Sequence, residues 1–160
     1  NAKVTRRYRE VAQTASQLKQ EREELTEKVT LAAKLDAVGI VVTPIDSRGK
    51  TAKKIKKTDK IKITFSIAKN VTAEVGEKYI YARIVKPDGD VLVKDRADVF
   101  PFEDREINYS CRKLIEYTGE ELNDVTMYWA VEEFLYPGEY RVDIFADNYM
   151  IGTRSFTLKQ

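Results

Sequence analysis

A chain of 160 residues and 18.4 kDa holds one domain with a real core plus an appendage, and is too short for two full domains. Charged residues make up 34% and mean hydropathy is -0.47, yet nine Tyr, six Phe and one Trp exceed what a disordered chain carries, and a formal charge of +2 supplies no global field toward nucleic acid or membrane. The absence of His and the single Cys, Cys111, exclude an internal disulfide and remove most routes to a zinc site, a catalytic triad or a thiol-imidazole pair, so neither metal nor cofactor is expected.

No run reaches the roughly 18 apolar residues of a membrane helix. The first residue is Asn1 rather than Met, which reads as a trimmed or mature fragment whose signal or anchor would lie upstream.

In chain order, the first expected element is a heptad helix over residues 1–38. Val4, Val11, Leu18, Leu25 and Ala32 recur every seven residues, with Tyr8, Ala15, Arg22 and Val29 four positions after the first four of them. That is the a/d seam of a coiled coil. No Gly or Pro interrupts the stretch, and Gly39 is the expected stop. About 35 helical residues would form a rod on the order of 50 Å long, whose seam calls for a second helix, most simply from another copy of the chain. The facing g and e′ positions form no ion pair, and Ala12 and Ala33 widen the stripe, so strand number and orientation stay open.

After Gly39 the apolar period becomes two, and residues 39–160 are expected to form one antiparallel β-sandwich of seven or eight strands. Gly39–Ile45 opens it. In Lys60–Ala68, Ile61, Ile63, Phe65 and Ile67 alternate with polar residues. Glu77–Lys86 turns through Pro87-Asp88-Gly89-Asp90 into Val91–Lys94. Further strands are expected at Ile107–Tyr117, Val125–Glu132, Glu139–Ala146 and Tyr149–Leu158, the last two joined at Asp147-Asn148.

The run Leu135-Tyr136-Pro137-Gly138-Glu139-Tyr140-Arg141-Val142 resembles the tyrosine corner of immunoglobulin-like domains. The resemblance implies that Tyr140 bonds backbone a few residues upstream and that Gly138 permits the corner. Val142 stands where that family usually carries a Cys, and Trp129 is not at the hallmark tryptophan position. The heptad segment followed by a module ending GEYRVDIFADNYMIGTRSFTLK is also similar to coiled-coil plus immunoglobulin-like proteins of bacterial envelopes, especially of Bacteroides-type organisms. That likeness implies a periplasmic or outer-surface setting; the residues themselves fix no compartment.

Chemistry-bearing residues are few. Lys50, Lys53, Lys54, Lys56, Lys57, Lys60 and Lys62 place seven lysines in thirteen residues, a candidate site for phosphate, anionic glycan or lipid headgroups. Without an aromatic residue or an Arg fork in the segment, nucleic acid is not the expected partner, and a solvated loop with a lysine-guarded edge strand is the plainer account. Glu120-Glu121 and Glu132-Glu133 point to opposite faces of a strand and form no carboxylate dyad. Asp88-Gly89-Asp90 lacks the further ligands of a calcium loop. Cys111 and Trp129 fall on inward faces as core. Tyr79, Tyr81 and Arg83 share one face and are the candidate protein or glycan contact.

No nucleophile, base and orienting group assemble from this inventory, so a non-catalytic protein is expected. The expected role is a structural, scaffold or adhesion-type protein, self-associating or tethered by its helix and presenting the sandwich as an interaction module. The alternative is a binding module for an anionic polymer or lipid headgroup through residues 50–62.

Overall fold

The computed structural model describes residues 32–160, of which 34–160 form one unit. Nine strands follow one another: β1 (Ala37–Ile45), β2 (Lys60–Ile67), β3 (Gly76–Val85), β4 (Val99–Phe102), β5 (Arg105–Asn108), β6 (Cys111–Tyr117), β7 (Leu122–Ala130), β8 (Gly138–Ala146) and β9 (Tyr149–Leu158). They pair antiparallel throughout, as sheets β1-β2-β7 and β6-β3-β8-β9 and a separate hairpin β4-β5.

The alternation in β2 buries Ile61, Ile63, Phe65 and Ile67, all at 0–1% exposure, and aligns them with Val125, Met127 and Trp129 of β7. Across the interior lie Ile80, Ala82 and Ile84 of β3 and Tyr140, Val142 and Ile144 of β8, in the same apolar cluster. Each fully buried aliphatic side chain contributes about 1.5–3 kcal/mol, so this shared core is what holds the two sheets together. A one-residue slip in β2 would turn its four core residues to solvent, which fixes the register.

The expected fold class is corrected. The described residues are mainly β, and their one named helical element is a short 3₁₀ turn at Ile55–Lys57. The predicted helix over 1–38 falls almost wholly on residues 1–31, outside the described residues, and its C-terminal boundary is wrong. Leu35 is buried in the β-core and β1 begins at Ala37. Gly39 does not stop a helix: its φ of 61° lies inside β1, where the register with β2 shifts between Val38 and Val41. The bulge aims the start of β1 at β9, so that a Cβ on Gly152 would stand 2.7 Å from Ile40 Cδ1.

Two other segments differ from expectation. The single strand predicted over Ile107–Tyr117 is broken at Tyr109-Ser110, because the Ser110 hydroxyl accepts from Ile84 N at 2.8 Å while donating to the Leu92 carbonyl. Val91–Lys94 forms only a bridge, Val91 to Val85, although the Lys86–Asp90 turn is closed by backbone bonds. At the corner, Tyr140 Oη donates to the Tyr136 carbonyl at 2.8 Å, and Gly138 between them has φ 148° with space for no Cβ, Pro87 Cγ lying 2.8 Å from where one would stand.

Candidate functional site

The lysine-rich segment leaves β1, turns, and enters β2 at one end of the unit. Asp46 makes the turn: its carboxylate accepts from the amides of Lys50 at 3.0 Å and Arg48 at 2.9 Å, which hold its pKa below the ordinary carboxylate value. The 3₁₀ turn follows, with Thr58 Oγ1 donating to the Lys54 carbonyl at 3.0 Å. Folding back in this way brings Arg48, Lys50, Lys56 and Lys57 around one open cleft of about 460 Å³, with Asp46 and Asp59 as its carboxylates.

Of the seven predicted lysines, the cleft therefore takes Lys50, Lys56 and Lys57. Lys53 and Lys54 are exposed on the loop, and Lys60 and Lys62 lie on the outward face of β2. Two features lie outside the predicted lysine run. Arg48 supplies the guanidinium that the lysine run lacked. Tyr128, half exposed on β7, supplies an aromatic ring, with Lys60 Nζ 5.8 Å from its centroid. No local signal joins residues 60 and 128; the β2–β7 register, which pairs Lys62 with Tyr128, does.

The predicted contact face of Tyr79, Tyr81 and Arg83 divides. Tyr79 is exposed, with the Arg112 guanidinium 4.9 Å from its ring centroid. Tyr81 is covered by the β4–β5 hairpin, stacking on Phe100 at 4.3 Å and 6°, and Phe100 and Phe102 both reach Phe145, at 5.3 and 5.0 Å. The hairpin was missed because Pro101 interrupts its short strand and removes a ladder donor. Beside these rings, Glu77, Glu103, Asp147 and Asn148 edge a cleft of about 530 Å³. Asp147 is already paired there with Lys78 Nζ at 2.6 Å.

Arg83 faces elsewhere, into a cleft of about 760 Å³ that also takes in Trp129, Lys86, Lys94, Glu132 and Glu133. Desolvation lowers its pKa against the attraction of Asp143. Of the predicted oligomerisation seam, Val4, Tyr8, Val11, Ala15, Leu18, Arg22, Leu25 and Val29 lie outside the described residues, and Ala32 is exposed.

Cys111 packs against the core, and burial pushes its thiol from 9.0 up to about 12, with Lys94 pulling weakly the other way. The thiolate that reacts is therefore absent near neutrality. Native protein should resist alkylation at neutral pH and take up one label on unfolding, read as a mass shift. Because the folded pKa is the higher one, the Cys111 contribution to stability should be constant below about pH 9 and fall between there and about 12, a component of the alkaline loss that Cys111→Ala lacks.

Layered antiparallel sheets with a cleft lined by Arg48, Lys50, Lys56 and Lys57 define a β-module with open surface clefts. Among the described residues no helix is long and apolar enough to cross a membrane. A family model for a domain of unknown function, DUF8428, matches residues 38–159, and the chain belongs to that family. No curated protein matches it.

Among solved structures, the Pseudomonas fluorescens alkylpurine DNA glycosylase AlkC, bound to DNA containing an abasic site analog, is similar at 14% identity and a TM-score of 0.45, over 82% of this chain and 32% of that one. A β-glucosidase from Kluyveromyces marxianus is similar at 13% identity and a TM-score of 0.46, over 79% of this chain and 14% of that one. The chain thus spans a minor part of either. The expectation that the chain is not an enzyme is withdrawn, and likeness at these scores assigns this chain no activity.

Proposed function

We propose that the chain is an interaction module whose β-unit presents the Arg48–Lys57 cleft, extended by Lys60, Lys62 and Tyr128, to an anionic polymer. The residues before the unit serve in this proposal as tether or self-association element. One observation carries it: Arg48, Lys50, Lys56 and Lys57 converge on one cleft that holds only two carboxylates, Asp46 and Asp59. An isolated surface lysine contributes little; a cluster sharing one polyanion gains from counterion release. The Tyr140–Tyr136 corner bond supports placing the module among immunoglobulin-like folds. An envelope setting, rich in anionic polymers, suits such a role.

Retention on immobilised heparin is the test. Wild type should elute at clearly higher salt than the variant with Arg48, Lys50, Lys56 and Lys57 all replaced by Gln. Equal elution would remove the proposal. Binding to anionic vesicles but not to heparin would move the site from polymers to lipid headgroups.

A further inference from the structure

At the cleft between the Lys86–Asp90 turn and the loop after β7, two buried hydrogen-bond donors have no partner: Arg83 Nε and Trp129 Nε1. Trp129 is 1% exposed, so its N–H has been taken from water without replacement. A buried donor left unmade is costly, and one that lines a cleft is satisfied when an acceptor enters it.

The rim sets the charge of that acceptor. Lys86 Nζ stands 3.7 Å from Glu133 Oε2 and Lys94 Nζ 3.7 Å from Glu132 Oε1, so two lysines and two glutamates offset each other across the opening. Both pairs are partly exposed and long, and part at little cost. Over the whole lining Arg83, Lys86, Lys94 and Arg96 face Asp90, Glu132 and Glu133, one cation in excess, and Arg83, which Asp143 attracts through the β3–β8 register, is the cation whose Nε has no hydrogen-bond partner. A single positive charge with two separate N–H donors fits a monoanion with two acceptor oxygens. The denser charge of a phosphate would meet Glu132 and Glu133.

We infer that this cleft is a carboxylate-binding site, in which one oxygen accepts from Trp129 Nε1–H and the other from Arg83 Nε–H. It is separate from the basic cleft and does not depend on the function proposed for that cleft. The carboxylate comes either as a small organic acid or as the terminus of a peptide.

Trp129 is the chain's sole tryptophan, so one indole N–H resonance reports the site. Titration with acetate, with a short peptide acid and with its C-terminal amide, against sodium chloride at matched ionic strength, separates the sources. The expected result is a saturable downfield shift of the indole proton with acetate, with the peptide acid, or with both, and none with amide or chloride. A shift with the peptide acid alone assigns a chain terminus. Arg83→Gln should weaken it by roughly tenfold or more, as loss of a charge-assisted hydrogen bond requires. Lys94→Gln, which leaves Glu132 facing the cleft, should weaken it less, and keeps the test open if Arg83→Gln fails to fold. An indole proton that no carboxylate moves, or that chloride or inorganic phosphate moves equally, overturns the site.

Discussion

Replacing Trp129 by Ala should lower the unfolding free energy by about 3–5 kcal/mol, read as a fall in the urea midpoint at unchanged slope. The residue is 1% exposed and is the largest side chain in the shared core, on β7 opposite Ile61 of β2. Removing it takes apolar surface out of the contact between the sheets and leaves a void that rigid strands on either side cannot close. Trp129→Phe should cost much less, because it refills most of the volume and removes a buried N–H that has no protein partner. A loss below about 1 kcal/mol for Trp129→Ala would mean that the site collapses, contrary to a core packed from both sheets.

The second large effect is expected at Asp143, a carboxylate 3% exposed on the face of β8 opposite the core. It accepts from Thr153 Oγ1 at 2.7 Å and from Arg141 Nε at 2.9 Å, and it attracts Arg83, its partner in the β3–β8 register. Asp143→Ala leaves the half-buried Arg83 charge uncompensated and the Thr153 hydroxyl without its acceptor. About 3 kcal/mol of destabilisation is expected. Little of it comes from Arg141, which is 54% exposed and screened. Asp143→Asn keeps an acceptor for Thr153 and should lose less. Equal losses for Ala and Asn would show that charge, not the hydrogen bonds, sets the cost.

Sequence reading placed β2, β3, β8 and β9 to within about a residue at either end, at Lys60–Ala68, Glu77–Lys86, Glu139–Ala146 and Tyr149–Leu158, and β2 shows the cleanest alternation. The failures share a cause, residues used for a purpose outside their own segment. Gly39 serves a bulge, Pro101 hides a strand whose Phe100 roofs Tyr81, and the Ser110 hydroxyl serves β3 and the Leu92 carbonyl. The site was half legible. The lysine run is plain in the sequence, but the cleft it forms depends on the Asp46 turn, and Tyr128 reaches Lys60 only through strand pairing. Of the face assigned to Tyr79, Tyr81 and Arg83 only Tyr79 is exposed, since parity does not reveal what covers a sheet.

The central claim is that cations from one folded-back loop engage an anionic polymer together. Titrating the protein with heparin at several salt concentrations tests it most directly. Four shared contacts predict log K falling linearly with log salt at a slope of about -3 to -4, flattened in the variant with all four cleft cations replaced by Gln. Binding that ignores salt, or a slope unchanged in that variant, would contradict it.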